Sequence, residues 1–305
     1  MSLFLDAGHE LRSGWKFLAY IGFFLIIWVA TGLVLSVFVV PRWTGLVLDQ
    51  LFILALNGIA LFVPAVLAMW LTVRFIDHRP LSIFGIGFLP HWRRDFLLGL
   101  GLAAGMLGVL IGGCFAFGYV NIQWTGRLVS PGVLATTLGV LLLSALNEEL
   151  VFRGFPLRLL IDGVGEWPAV IGMSALFGAM HLSNPNGSLL GAVNTVAAGI
   201  LLSLAYVRTR SLWLPYAIHT GWNVGLGFVF GFPLSGIDLA SLWTTGIAGS
   251  ETILGGGYGP EGGLLATFVF AAAAVIVERH GSINRTKARP GSSTRRHHRD
   301  RTGNS

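Results

Sequence analysis

Long apolar segments, separated by short polar connections, make up most of the chain. They fall near residues 17–40, 51–73, 96–120, 132–160, 166–183, 189–207, 212–231 and 263–278. A helix needs about 20 mostly apolar residues to cross the hydrocarbon core of a bilayer, and most of these segments approach or exceed that length. The pattern therefore predicts an all-α fold, a polytopic membrane protein with about eight transmembrane helices. Gly154 and Pro156 predict a kink near the inner end of the fourth helix.

Composition favours a membrane protein over a soluble one. Of the 305 residues, 54% are hydrophobic and 11% are charged, whereas soluble domains have about 25% charged residues. Cys114 is the single cysteine. A disulfide within the chain and a CxxC metal or redox motif are therefore excluded.

The positions of the positive residues predict the orientation of the helices, because such residues collect in the cytoplasmic loops of membrane proteins. With eight spans, only Arg42 and Arg127 fall on the opposite side from the termini, so 18 of the 20 Lys and Arg share the side of both termini. We therefore expect both termini to be cytoplasmic. A composition rich in arginine, glycine and alanine points to a bacterial plasma membrane.

The sequence also predicts the extent of the membrane domain and the character of the tail and of one loop. Residues 1–281 are expected to form one transmembrane domain, and residues 282–305 a basic, disordered cytoplasmic tail. The glycine-rich loop 255–263 lacks both the preceding strand and the following Lys-Ser/Thr of a phosphate-binding loop. It is predicted to be a flexible turn before the last helix.

The third apolar segment contains glycines four residues apart, at Gly101 and Gly105 and again at Gly108 and Gly112. Small residues at this spacing allow membrane helices to approach closely. The pattern predicts that this face packs against another helix.

Ionisable and amide side chains interrupt the apolar segments at three places. They lie in Glu148–Arg153 (EExxxR), Phe177–His181 (FxxxH) and His219–Asn223 (HxxxN). A charged group costs about 2.5 to 3.5 kcal/mol at the centre of a membrane helix, so such groups persist mainly where they line a polar cavity. The three motifs, within a core of about residues 135–230, therefore predict a polar cavity inside the membrane.

Helical spacing separates the roles of the two glutamates. Glu149 and Arg153 lie four residues apart on nearly one helix face, so they are predicted to form an ion pair that supports the site. Glu148 points about 100° away from Glu149. It is therefore free to act as a general base that takes a proton from water.

The two other motifs supply hydrogen-bonding groups. His219 and Asn223, one helical turn apart, are predicted to form an oxyanion hole, and His181 to orient or shuttle the proton of a water held by Glu148. Each has a plain structural alternative. His181 and Asn223 could make helix-to-helix hydrogen bonds, and the glutamates with Arg153 could form only a packing network.

The three motifs, intact and in this order, resemble those of the type II CAAX prenyl endopeptidases and their bacteriocin-processing relatives, the CPBP intramembrane proteases. The resemblance implies an eight-helix membrane core and a glutamate-dependent protease that cuts peptides at membrane level. By this resemblance Glu148 is the general base, His181 is its partner, and His219 and Asn223 stabilise the oxyanion. Glu149 and Arg153 support them.

The predicted function is hydrolysis of a peptide bond in a membrane-tethered or hydrophobic-tailed, CAAX-like protein or peptide. The lipid bilayer is the other expected partner, and no nucleic-acid partner is expected. The alternative is a membrane protein without proteolytic activity. It would be either an immunity or scaffold protein or a proton-linked carrier that uses the two glutamates.

No cofactor is expected. Glu148, His181 and His219 could in principle supply three zinc ligands, which keeps a zinc protease as the alternative. The HExxH spacing of a zinc protease is absent from the sequence. The chemical roles are also filled without a metal.

Overall fold

The computed structural model describes residues 3–5, 8–40, 50–125 and 128–287. The α-helices of this part of the chain are α1 (Ser13–Val34), α2 (Gln50–Thr72), α3 (Trp92–Ala116), α4 (Pro131–Phe152), α5 (Phe155–Val164), α6 (Glu166–Met180), α7 (Leu189–Thr209), α8 (Trp213–Asn223), α9 (Glu251–Leu254) and α10 (Leu264–Lys287). The π-helical segments Leu35–Val39, Val73–Asp77 and Val224–Val229 continue α1, α2 and α8. Two short strands, β1 (Val120–Trp124) and β2 (Trp243–Ile247), complete the regular structure.

Helix lengths confirm an all-α polytopic membrane protein. Within the described residues, the segments long and apolar enough to cross a bilayer are Ser13–Val39, Leu51–Asp77, Trp92–Ala116, Pro131–Val164 and Leu189–Thr209. Helix α6 has 15 residues and α8 has 11, so each is shorter than the roughly 20 residues of a full span. The number of eight spans therefore stays a prediction.

The predicted kink is a complete break between α4 and α5. Ser130 caps the start of α4, where its hydroxyl accepts from the Val133 amide at 3.3 Å. At the other end Arg153 is extended and Gly154 has φ of 56°, a backbone conformation that favours glycine. Pro156 lies in the first turn of α5, where its missing N–H costs no helical hydrogen bond. The fourth predicted helix, 132–160, is therefore two helices with the end of the EExxxR motif at their junction.

Helix α3 packs along α8, the helix that carries the HxxxN motif. Gly99 on α3 and Gly221 on α8 lie in this contact, since a Cβ at Gly99 would lie 2.6 Å from the Ala217 Cβ and one at Gly221 would lie 2.8 Å from the Ala103 Cβ. The prediction for the glycine pairs of α3 is wrong. Among the described residues, nothing lies within 4 Å of a Cβ placed at Gly101, Gly105, Gly108 or Gly112.

A chain of ion pairs joins α1, α2 and α5 at the end predicted to be cytoplasmic. The carboxylate of Asp77 lies 2.9 Å from Lys16 Nζ and 2.8 Å from Arg79 Nε. Arg79 also lies 2.8 Å from Asp162. The Asp77 side chain has no exposed surface, so these cations are what makes its burial tolerable. The pairs fix α1 beside the helices that surround the site.

At the opposite end, the loops have a defined fold. Strands β1 and β2 form an antiparallel ribbon with Val120 opposite Ile247. The loop 255–263, predicted to be a flexible turn, instead forms two 3₁₀ turns, Gly256–Tyr258 and Pro260–Gly262. Gly259 between them has φ of 88°, and any side chain there would overlap the carbonyl of Pro233. Glycine at this position is therefore a requirement of the loop's shape.

Helix α10 closes the described part of the chain. It runs to Lys287, six residues beyond the predicted domain end at residue 281. Residues 288–305, the rest of the tail predicted to be disordered, lie outside the described residues.

Candidate active site

A cavity of about 550 Å³ lies between α1, α4, α6, α7 and α8 and the loops that precede α10. All four predicted catalytic residues, Glu148, His181, His219 and Asn223, line it. The structure thus brings together side chains from three helices. The other polar side chains on its wall include Ser144, Asn184, Thr195, Ser235 and Glu261.

Glu149 lies beneath the cavity wall, and its side chain has no exposed surface. Its Oε1 accepts from Arg153 Nη1 at 3.0 Å, so the ion pair predicted from the four-residue spacing is present. The same oxygen lies 2.8 Å from Nδ1 of His219 on α8. Because a carboxylate only accepts hydrogen bonds, this contact assigns a proton to Nδ1. Glu149 therefore holds the orientation of His219 as well as the position of Arg153.

Arg153 is enclosed by the motif residues. Its side chain is 1% exposed, and Nη2 lies 3.4 Å from the carbonyl oxygen of Gly199 on α7. The guanidinium carbon lies 4.5 Å from the ring centre of Phe177, a cation–π distance. Phe177 begins the FxxxH motif, so Arg153 contacts that motif directly and reaches the HxxxN motif through Glu149.

Of the two glutamates of the EExxxR motif, Glu148 is the one that a molecule in the cavity can reach. Its side chain is 22% exposed, in contrast to the buried Glu149. Ser144, one turn earlier on α4, donates to Glu148 Oε1 at 3.3 Å. His219 Nε2 lies 3.6 Å from Glu148 Oε2. His219 thus stands between the two glutamates, with one ring nitrogen toward each.

His181 begins the 3₁₀ turn that follows α6. Its Nδ1 donates to the carbonyl of Phe177 at 2.8 Å, which leaves Nε2 of a neutral ring as an acceptor. In the described part of the chain, His181 and Glu148 share the cavity without a hydrogen bond between them. Their predicted partnership thus requires a bridging group.

Asn223 is the last residue of α8, before the π-helical segment. It and His219 are each 9% exposed and line the cavity from one helix face. The amide of Asn223 supplies two N–H donors. The two residues thus share the cavity, and their role as an oxyanion hole stays a prediction.

The zinc alternative requires Glu148, His181 and His219 to lie where all three could bind one ion. Among the described residues, no three His, Cys, Asp or Glu side chains are grouped as metal ligands would be. His219, one of the three, directs its Nδ1 to Glu149 and its Nε2 toward Glu148. The absence of a cofactor therefore stays a prediction, with zinc as its alternative.

Sequence reasoning did not identify several polar residues of the cavity. Ser144 could have been found, because it lies one helical turn before Glu148. Glu261 had one signal, an acidic residue inside a glycine-rich loop. Ser235 and Asn184 had none, because nothing in their surroundings in the sequence marks them.

Two comparisons relate the chain to known proteins. A family model described as type II CAAX prenyl endopeptidase Rce1-like matches residues 130–225. A protein of Escherichia coli, described as an uncharacterized 24.3 kDa protein, is 33% identical over 103 residues. That match covers 33% of this chain and 46% of the relative, so the chain spans less than half of the relative's length. The family match covers all three motifs and supports the resemblance that they predicted.

Proposed function

We propose that the chain is an intramembrane endopeptidase that hydrolyses a peptide bond with a water molecule activated by Glu148. One observation carries the proposal. Glu148 is an accessible carboxylate on a cavity wall, backed by a buried Glu149 that is already neutralised by Arg153 and joined to His219. Burying ionisable side chains inside a membrane costs free energy, so a buried network of this kind is expected where it positions reactive groups.

In the proposed reaction, Glu148 takes a proton from the water as the water oxygen attacks the carbonyl carbon of the scissile bond. His181 Nε2 accepts a second hydrogen bond from that water and fixes its direction. The negative charge moves to the carbonyl oxygen. Collapse of the tetrahedral intermediate breaks the C–N bond, and Glu148 returns its proton to the leaving amine.

Asn223 and His219 are the proposed donors to the negative oxygen. The Asn223 amide donates directly. With Nδ1–H held by Glu149, His219 donates from Nε2 when its ring carries both protons. Donors of this kind contribute about 2.7 to 4 kcal/mol each to transition-state stabilisation.

The proposed substrate is a protein or peptide with a membrane-embedded apolar tail. The wall that α1 contributes to the cavity is apolar and includes Phe24, Leu25 and Trp28. Leu25 and Trp28 on α1, with Leu176 and Met180 on α6, line the cavity and are also 45% to 52% exposed on the outside of the protein. We call these four residues the lateral mouth. In a membrane protein such an exposed apolar opening faces lipid, so a tail could enter from the bilayer.

The proposed location is a bacterial plasma membrane, with both termini in the cytoplasm. Fusing a reporter enzyme that is active on only one side of the membrane to each terminus checks the orientation.

The decisive experiment compares the N- and C-termini of all membrane proteins in cells that carry the native chain or the Glu148→Gln variant at equal abundance. Glu251→Gln is the matched control, because Glu251 is exposed at the start of α9 and is not among the residues that line the cavity. The proposal expects new termini with the native chain and with Glu251→Gln, and none with Glu148→Gln. Identical termini in all three would reject proteolysis.

The same variants distinguish the alternatives. An immunity or scaffold protein should still protect cells after Glu148→Ala. A proton-linked carrier should lose transport in Glu148→Gln while no peptide product appears with either form.

A further inference from the structure

Glu261 lies in the loop before α10 and lines the same cavity as the motif residues. Its carboxylate accepts three hydrogen bonds. Oε1 accepts from Trp222 Nε1 at 2.8 Å, and Oε2 accepts from the Ser235 amide at 2.7 Å and the Ser235 hydroxyl at 2.8 Å. This residue lies outside the family-matched segment 130–225.

One side of this carboxylate holds the helix that carries the proposed oxyanion donors. Trp222 immediately precedes Asn223 and lies three residues after His219. Its ring is buried and packs against Phe270 on α10, with ring centres 4.9 Å apart. The bond to Glu261 therefore fixes the end of α8 at the point where the helix becomes π-helical.

The other side holds the turn that carries His181. The Ser235 carbonyl oxygen accepts from Asn184 Nδ2 at 3.2 Å, and Asn184 directly follows the 3₁₀ turn His181–Ser183. Ser235 has φ of 48°, a conformation that costs energy in a residue other than glycine. The two bonds from Ser235 to Glu261 hold it in that conformation.

The backbone of the loop that carries Glu261 is bonded to α7. Asn194 on α7 has no exposed surface, and its amide donates to the carbonyls of Glu261 and Gly263 at 2.8 Å each. Its Oδ1 accepts from Thr267 Oγ1 at 2.6 Å. Asn194 thus anchors the loop backbone to α7 without using the Glu261 side chain. The three bonds of the Glu261 carboxylate reach two other parts of the chain, Trp222 and Ser235.

We infer that Glu261 is a positioning residue for the proposed proteolytic site. It holds Asn223 and His219 through Trp222, and His181 through Ser235 and Asn184, across the end of the cavity opposite the predicted cytoplasmic side. This inference rests on the proposed function. We call the set Glu261, Trp222, Ser235 and Asn184 the outer clamp.

The test uses Glu261→Gln and Trp222→Phe in the full chain, with Glu251→Gln as the control in the same loop region. Trp222 and Ser235 bond different oxygens of Glu261. A glutamine replaces one of these oxygens with an NH2 donor, so in this geometry it loses either the bond from Trp222 or the bond from the Ser235 amide. The probe is a synthetic peptide that spans a cleavage site identified by the comparison of termini. We expect Glu261→Gln to lower kcat at least tenfold with KM changed less than threefold, because the lost interaction orients catalytic groups.

Trp222→Phe keeps the ring and removes one bond of the clamp. It should lower kcat in the same direction, and the double variant should be no more than twofold slower than Glu261→Gln, since both changes break one connection. A kcat per folded molecule within twofold of native for Glu261→Gln, or an equal loss in Glu251→Gln, would overturn the inference. If Glu261→Gln does not accumulate, Trp222→Phe decides by the same criterion.

Hydrogen exchange measured by mass spectrometry separates this inference from the proposed function. The clamp predicts faster exchange of the segments 181–187 and 219–229 in Glu261→Gln and unchanged exchange in Glu251→Gln. If native and Glu148→Gln chains give identical termini, proteolysis is rejected whatever the exchange shows. If proteolysis is present and exchange in these segments does not change, the outer clamp is rejected alone.

Discussion

The inner network of Glu149, Arg153 and His219 and the outer clamp of Glu261 both hold the candidate site with a carboxylate, but they differ in burial and in reach. The inner carboxylate has no exposed surface and pairs with a buried cation. The outer carboxylate is partly exposed to the cavity, and its bonds to the described residues come from neutral donors, Trp222 and Ser235. We infer that the inner network determines whether the chain folds with its charges satisfied. The outer clamp determines how accurately groups from α6 and α8 are aligned.

Glu148→Gln should have the largest effect on activity, because it removes the proposed base. It leaves in place Glu149 and Glu261, the two carboxylates that hold the site. We expect hydrolysis of the probe peptide to fall about 10²- to 10⁴-fold, the usual contribution of a general base. The free energy of unfolding should change by no more than about 0.5 kcal/mol, since within the described ranges Glu148 has no ion pair with a lysine or arginine. Activity and unfolding in detergent check both. Native rates in the variant would contradict the role of Glu148.

Arg153→Met tests the inner network. It leaves Glu149 buried without its cation, which costs about 3 to 5 kcal/mol. Arg158→Met is the matched control, because Arg158 and Asp162 have the same four-residue spacing and lie 3.0 Å apart, but each is about 20% exposed. A partly exposed pair contributes about 0 to 1 kcal/mol. Equal losses of stability in the two variants would remove the distinction between buried and surface pairs.

Trp222→Phe tests the stability contribution of the outer clamp. Loss of a hydrogen bond to a charged acceptor costs about 1.5 to 3 kcal/mol, and the retained ring keeps its contact with Phe270. The variant should therefore unfold at a lower denaturant concentration than native, but at a higher one than Arg153→Met. A larger loss than in Arg153→Met would reverse the assignment of the two regions.

Metal removal is expected to have the smallest effect. The proposed mechanism uses only Glu148, His181, His219 and Asn223, so treatment with a chelator should leave the rate of peptide hydrolysis unchanged. Loss of activity on chelation, restored by added zinc, would show that the site uses a metal. It would reject the metal-free mechanism on which the comparison of the two regions rests.

How much could be predicted from the sequence depended on how far apart the interacting residues lie in the chain. Glu149 and Arg153 are four residues apart, and helical geometry alone predicted their ion pair. The bond between His219 and Glu149 joins residues 70 positions apart. Only the cost of burying charges indicated that these motifs would meet, and it did not indicate which atoms would bond.

The errors in the prediction have the same origin. Gly101 and Gly105 have the spacing of a packing motif, but α3 turns Gly99 toward α8 instead, and the choice of face depends on a helix far away in sequence. The loop 255–263 was expected to be flexible because glycine permits many conformations. Its actual shape is fixed by contacts with Pro233 and Asn194, which come from other parts of the fold.

If substrates enter through the lateral mouth, the concentration that governs their binding is the concentration in the membrane, not in the surrounding solution. By the proposed route a substrate enters between α1 and α6, so it is confined to the two-dimensional bilayer before it binds. Its encounter rate then depends on its number per unit of membrane area and on lipid fluidity. Diluting a membrane suspension with buffer should leave turnover unchanged, whereas diluting the membrane with added lipid should slow it.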